Sequence, residues 1–168
     1  TPEYSSAASD VYKRQTLVAS WLTSRINVLP HLSVCWYPCQ PWDKSVGLAV
    51  SLLHRFGVDD KHDPYQIMET LPLTPGSVFD IDSWRRRLLA YLTDADAIRE
   101  RFQDEKGGPP PYWLIVLDDV HHVANESNDL LGALLDISKK APLRVILVSR
   151  TTLNLSLIHI SEPTRHRY

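Results

Sequence analysis

The segment YWLIVL (residues 112–117) is an unbroken run of apolar and aromatic residues that ends in two carboxylates, Asp118 and Asp119. A strand with one face in water alternates polar and apolar side chains, whereas an unbroken run predicts a strand covered on both faces. Such strands belong to parallel sheets whose two faces are packed with helices. This run constrains the fold more than any other segment, and it indicates an α/β architecture.

Helical and strand patterns alternate along the rest of the chain. The predicted helices are residues 16–25, 44–57, 84–102 and 125–140, and the predicted strands are residues 32–37, 112–117 and 143–149. The stretch between residues 58 and 82 carries three prolines and predicts a surface excursion with a short helix at most. Because helices and buried strands alternate, we expect a parallel sheet in an α/β fold.

Two of the helical patterns make specific predictions. The first is predicted to begin at Asp43 or Ser45 and to bury Val46, Ala49, Val50, Leu53 and Phe56. The second is predicted to run without a break behind an Asp82 or Ser83 cap, with an apolar stripe formed by Trp84, Leu88, Tyr91, Ala95, Ile98 and Phe102. Stripes of this kind most often belong to a hydrophobic core.

Two segments near the ends of the chain can be encoded by the same DNA sequence read on opposite strands. Written as GAT GTG TAT AAG AGA CAG, the codons of DVYKRQ (residues 10–15) have a reverse complement that encodes LSLIHI (residues 155–160). This DNA sequence matches the transposase end sequence used to prepare sequencing libraries. We therefore interpret residues 1–15 and 155–168 as translated adapter and exclude them from reasoning about the fold. On this interpretation residues 16–154 are a fragment of a longer gene.

Composition excludes several classes of protein. The net charge of −2 leaves no basic excess for nucleic acid or an anionic membrane, and no apolar run is long enough to span a bilayer. The two cysteines, Cys35 and Cys39, lack the additional soft ligands that a zinc site needs at matching spacing. We expect a cytoplasmic domain that binds neither nucleic acid nor membrane directly.

The carboxylates after the buried strand are the first candidate site residues. Ligands of open α/β sheets bind at the carboxyl ends of the strands. Asp118 there is suited to hold Mg²⁺ through water, and Asp119 to polarise an attacking water molecule. An apolar run followed by Asp-Asp is the Walker B pattern of P-loop nucleoside triphosphatases, although a polar cap that merely ends a strand has the same appearance.

Two further segments support a nucleotide site. Ser149 and Arg150 end the next predicted strand about one helix and two loops later, where an arginine suits the charge and geometry of a phosphate. TLVASWL (residues 16–22) is typical of the helix that follows a phosphate-binding loop, G-x-x-x-x-G-K-[ST]. Thr16 is then either the hydroxyl of that motif that binds magnesium or the threonine after it.

These segments together resemble the STAND class of signalling ATPases, which includes the NB-ARC proteins and the maltose-activator-type regulators of the LuxR family. The matching segments are TLVASWL, SVCWYPC, WLIVLDDVHHV and LRVILVSRT. The resemblance implies a partial three-layer P-loop NTPase fold in which the first strand and the phosphate loop are missing. It also implies that ATP or ADP binds with Mg²⁺ beside a following helical domain and controls signalling or transcription.

The resemblance assigns magnesium binding to Asp118, catalysis to Asp119, and nucleotide contacts to Thr16, Ser149 and Arg150. It implies contacts with other domains of the parent protein and with a second copy. It also places the absent first strand beside the strand that ends at Ser149, which would leave that edge unpaired and prone to aggregation. The parent would be an ATP hydrolase, and the fragment by itself is expected to be inactive.

Two alternatives remain open. An AAA+ ATPase would have the same acid at the end of its strand, but it would place a glutamate where this chain has Asp119. A module that holds ADP and acts through protein contacts would hydrolyse ATP negligibly.

Overall fold

The computed structural model describes residues 13, 15–24, 31–102 and 110–153. Residues 15–24 form helix α1. Then follow β1 (Leu32–Pro38), α2 (Ser45–Phe56), α3 (Ile81–Thr93), α4 (Ala95–Phe102), β2 (Tyr112–Asp118), α5 (Asn128–Ser138) and β3 (Leu143–Leu147), with 3₁₀ turns at Ile67–Thr70 and Val120–His122. The LSLIHI segment lies outside the described residues.

The three strands form one parallel sheet in the order β1-β2-β3, which confirms the predicted α/β architecture with a parallel sheet. The register aligns Cys35 of β1 with Ile115 of β2, and Ile115 with Val145 of β3. Strand β2 is central and is buried from Trp113 to Asp118, as its unbroken apolar run predicts.

Helices cover both faces of this sheet. On one face, Leu22 of α1 packs against Leu114 and Val116. On the other face, Ile115 and Leu117 belong to a larger core shared with α2, α3, α4 and α5. Alternate side chains of β2 point to opposite faces, so a single strand supplies the centre of both cores.

An aromatic cluster closes the larger core near the start of β2. The ring of Trp113 lies edge-on to Phe102 of α4, with 4.8 Å between ring centroids, and edge-on to Phe56 of α2 at 6.5 Å. Edge-to-face pairs of this geometry add to the hydrophobic burial of the rings themselves. The cluster fastens the ends of two helices to the central strand.

The prediction of one continuous helix over residues 84–102 is wrong, because Asp94 divides it. Asp94 has extended backbone angles (φ −71°, ψ 126°), and its carboxylate accepts hydrogen bonds from the backbone N–H groups of Asp96 and Ala97, both at 2.9 Å. It therefore caps the start of α4. The cap of α3 is Asp80, whose side chain accepts from the N–H of Ser83, and not Asp82 or Ser83.

The face that α2 buries also differs from its prediction. The buried residues are Leu48, Ala49, Leu52, Leu53 and Phe56, whereas Val50 is exposed and Val46 is only half-buried. The helix starts after Lys44 without a side-chain cap, because the carboxylate of Asp43 accepts instead from the N–H of Gln40 at 2.8 Å. The buried face of α2 is therefore rotated relative to the face that the spacing of apolar residues predicts.

Strand β3 is less buried than its sequence predicts, since Val145, Ile146 and Leu147 are all half-buried. Within the described residues β3 pairs only with β2, so its second edge meets no strand there. The excursion predicted over residues 58–82 contains a 3₁₀ turn as its one short helix, and its last two residues already belong to α3. Among all the residues that the structure describes, no helix is long and apolar enough to cross a membrane.

Candidate functional site

The carboxyl ends of all three strands meet at one edge of the sheet. The N–H of Cys39, just after β1, donates to the carbonyl of Asp118 at 2.8 Å. The N–H of Val120, just after β2, donates to the carbonyl of Val148 at 3.0 Å, and the N–H of Val148 donates to the carbonyl of Leu117 at 2.9 Å. These bonds hold the loops that follow the strands in one cluster, in the place where α/β sheets bind ligands.

Asp118 lies at the centre of this edge. Among the described residues it is the one charged side chain that is buried, with 7% of its surface exposed. Its Oδ1 accepts a hydrogen bond from the N–H of Asp119 at 2.9 Å. The side-chain amide of Gln15, at the start of α1, donates to Oδ2 at 3.0 Å and to Oδ1 at 3.2 Å. Gln15 is one of the residues interpreted as translated adapter, so this bond is not a feature of the native site.

Asp119 adopts a left-handed backbone conformation with φ 52° and ψ 38°. Most residues avoid this region, but Asp and Asn tolerate it comparatively well. The turn directs the side chain of Asp119 toward the segment that follows β3. There Arg150 makes two parallel bonds to it, from Nε to Oδ1 at 3.0 Å and from Nη2 to Oδ2 at 3.1 Å. This is the bidentate geometry that arginine forms with carboxylates and phosphates.

The other two predicted site residues are placed differently. The hydroxyl of Ser149 donates to the carbonyl of Thr151 at 2.7 Å and accepts from the N–H of the same residue at 3.2 Å, so it serves the local turn. Thr16 lies in α1 beside Gln15, with an exposed side chain. The structure thus brings Asp118, Asp119 and Arg150 together, while Ser149 points its hydroxyl into its own turn.

Cys39 is a buried thiol that lies close to the acidic residues of this edge. Burial, followed by the nearby carboxylates of Asp43, Asp118 and Asp119, raises the pKa of the Cys39 thiol to about 12. The thiolate form is therefore absent at neutral pH, and Cys39 is not suited to nucleophilic chemistry. The sequence pattern indicated neither the burial of Cys39 nor the contact of its backbone with Asp118.

His121 belongs to the same cluster, although its sequence position favours a solvated or packing role. Its ring lies 4.2 Å from that of His122, and its Nδ1 is buried without a hydrogen-bond partner in the described part of the chain. Burial, then the neighbouring His122, lowers the pKa of His121. The imidazole is therefore mainly neutral at pH 7, and it adds no fixed charge to the cluster.

A cavity of about 840 Å³ lies away from this edge. It is formed by the end of α2, the loop that follows, and parts of α3 and α4. Its lining includes six acidic residues, which are Asp59, Asp60, Asp63, Asp94, Asp96 and Glu100. Size alone does not identify a site, and this cavity lacks the convergent strand ends that position Asp118.

Within residues 13, 15–24, 31–102 and 110–153, no group of three or more His, Cys, Asp or Glu side chains is arranged to hold a metal ion by itself. No protein-family model, curated protein or solved structure matches the chain. The candidate site therefore depends on its own geometry, in which a buried carboxylate, a second carboxylate and a bidentate arginine lie at the carboxyl edge of a parallel sheet.

Proposed function

We propose that residues 16–154 are part of the ATP- or ADP-binding module of a STAND-type signalling ATPase. The observation that carries the proposal is the cluster at the carboxyl ends of β2 and β3, where Arg150 makes two parallel bonds to Asp119, at 3.0 and 3.1 Å, beside the buried Asp118. In P-loop proteins the phosphate loop leads directly into a helix. Helix α1 packs on β2 through Leu22, so a loop just before Thr16 would lead into a helix that lies against the strand ending in Asp118.

The sheet order adds independent support. Strand β2, which ends in the acidic pair, lies between β1 and β3, and both neighbours run parallel to it. The second edge of β3 pairs with no strand among the described residues. A strand upstream of Thr16 could lie there and place its loop next to Arg150. The resemblance puts the first strand at this position.

The residues at this edge suit a magnesium nucleotide. Mg²⁺ is usually held by one or two carboxylates, by substrate phosphates and by several waters, so a complete protein cage is not needed. Asp118 supplies a carboxylate that is already oriented by the N–H of Asp119. In the proposal Asp118 holds the metal, Thr16 and Ser149 lie beside the nucleotide, Arg150 binds its terminal phosphate, and Asp119 orients the attacking water.

The second candidate is a module that holds ADP and acts through contacts with other proteins or domains. It is favoured by the bidentate pair of Asp119 and Arg150, because a carboxylate engaged in two hydrogen bonds is not free to orient water. Both candidates bind nucleotide at the same place. They differ in turnover, which the complete parent protein would reveal.

A calorimetric titration with Mg²⁺ and ATP tests the proposal. The chain as it stands is expected to bind weakly, because it has no glycine-rich loop whose N–H groups cradle the phosphates and no loop lysine for their charge. The same chain, extended upstream through the predicted loop, is expected to bind with a dissociation constant that is lower by at least about a hundredfold, as several charge-assisted hydrogen bonds are restored.

Micromolar binding by the chain as it stands would contradict the inference that an essential loop is missing. Extension without any gain in affinity for either ATP or ADP would contradict the assignment to a nucleotide-binding module. Turnover by the extended chain would favour the ATPase over the ADP-holding module.

A further inference from the structure

We propose that the Asp119–Arg150 pair is a latch in which a carboxylate occupies the phosphate-binding edge of the arginine until a terminal phosphate displaces it. This inference rests on the proposed function for its physiological ligand. The contacts between Asp119 and Arg150 are observed independently of that function. Arg150 directs both Nε and Nη2 at Asp119, at 3.0 and 3.1 Å, and this is the edge that would otherwise take two phosphate oxygens.

The two partners differ in their freedom to move. Asp119 is held on both sides, by its own N–H bond to Asp118 and by the bond from the N–H of Val120 to the carbonyl of Val148. Its side chain is 18% exposed, whereas that of Arg150 is 52% exposed. Arg150 follows the end of β3 in a short turn stabilised by Ser149 and Thr151. We therefore expect the side chain of Arg150 to be the partner that moves, and it is already accessible to solvent.

One arginine edge cannot bind a carboxylate and a phosphate at the same time. A triphosphate that reaches Arg150 must therefore release Asp119, and the released carboxylate is then free to orient water. A diphosphate that stops one phosphate short leaves the pair closed. The latch thus couples recognition of the terminal phosphate to exposure of the acidic group beside it, and it distinguishes triphosphate from diphosphate.

The chain as it stands allows a direct test with inorganic triphosphate as the probe. The variant Asp119→Asn removes the competing charge and should raise the affinity of Arg150 for triphosphate by about fivefold, the amount expected for a half-exposed ion pair. Binding is followed by NMR through the Nε–H signal of Arg150. In an Arg150→Gln background, where ligand-detected NMR reports binding, the same change at Asp119 should have no effect.

Asp136→Asn is the matched control, because Asp136 of α5 pairs at 3.0 Å with Arg85 of α3 and not with Arg150. It removes one carboxylate from an arginine without touching the strand ends, so it should leave triphosphate affinity unchanged. The latch is wrong if Asp119→Asn binds triphosphate no more tightly than wild type. It is also wrong if Asp136→Asn, or Asp119→Asn in the Arg150→Gln background, gives the same gain.

The chain extended upstream separates the latch from the proposed function. There Asp119→Asn should increase the preference for a non-hydrolysable ATP analogue over ADP by about fivefold, because only the triphosphate reaches Arg150. An unchanged preference in a protein that binds both nucleotides overturns the latch alone. Failure of the wild-type extended protein to bind either nucleotide overturns the proposed function, while the triphosphate titration still decides the latch.

Discussion

Replacing Asp118 with alanine in a chain that carries the phosphate loop is expected to weaken Mg²⁺-dependent ATP binding by about a hundredfold, roughly the effect of losing one strong interaction with a charged group. Asp118 is buried at the end of the central strand, and the loop after β1 contacts it. Binding measured in the presence of EDTA should differ little between variant and wild type.

The alanine variant also leaves the N–H of Asp119 without its acceptor, which costs about 1 kcal/mol of stability. Asp118→Asn separates the two effects. The amide oxygen of asparagine can still accept that hydrogen bond, but it lacks the charge that attracts Mg²⁺. This variant should unfold at the same denaturant concentration as wild type and still lose magnesium-dependent binding. If both variants bind Mg²⁺ and ATP as tightly as wild type, the assignment of the metal site is wrong.

Replacing Trp113 with alanine is expected to destabilise the chain by about 3–5 kcal/mol, the range for large aromatic residues in packed cores. Trp113 is 2% exposed, and its ring packs edge-on against Phe56 and Phe102. The substitution would empty the junction where α2 and α4 meet the start of β2. Typical domains are stable by only about 5–15 kcal/mol, so a loss of this size removes a large part of the total. Denaturant unfolding followed by circular dichroism measures it.

Two further variants make the stability prediction specific. Trp113→Phe keeps an aromatic ring and gives up no hydrogen bond, because the Nε1 of Trp113 is buried without a partner in the described residues. It should cost less than about 1.5 kcal/mol. Trp42→Ala removes a tryptophan that is 72% exposed and should change stability by less than about 0.5 kcal/mol. Equal losses for Trp113→Ala and Trp42→Ala would contradict the described core.

The central strand could be predicted from the sequence because one pattern determined it. An unbroken apolar run has few alternatives in a chain of this composition, and the carboxylates that follow such a strand must lie at the carboxyl edge of the sheet. The parallel arrangement followed from the helices on either side. The same reasoning placed Arg150 at that edge, since parallel strands end on the same side.

Other features depend on tertiary contacts that the spacing of apolar residues does not reveal. The stripe from Trp84 to Phe102 fits one helix, but the carboxylate of Asp94 offers the backbone a cap that competes with continuation of the helix. The face of α2 is set by the surfaces that meet it, so Leu48 and Leu52 are buried where the pattern favoured Val46 and Val50. The side chains of β3 are half-buried from Val145 to Leu147, and an apolar run does not by itself specify how much of it is covered.

The candidate site was likewise predicted only in part from the sequence. Asp118, Asp119 and Arg150 were predicted as separate candidates with separate roles. The bidentate pair between two of them was not, because it depends on the left-handed backbone of Asp119 and on the turn after β3. Neither is encoded in a motif. The nucleotide, the metal and the adapter origin of the two ends remain predictions.

The most direct test of the central claim is to read the genomic sequence upstream of the codon for Thr16. The account predicts an apolar strand followed by G-x-x-x-x-G-K-[ST], with the motif ending at Thr16 or at the residue before it, and no continuation of the DVYKRQ codons. An upstream reading frame without a glycine-rich loop and lysine would contradict the assignment to a P-loop ATPase.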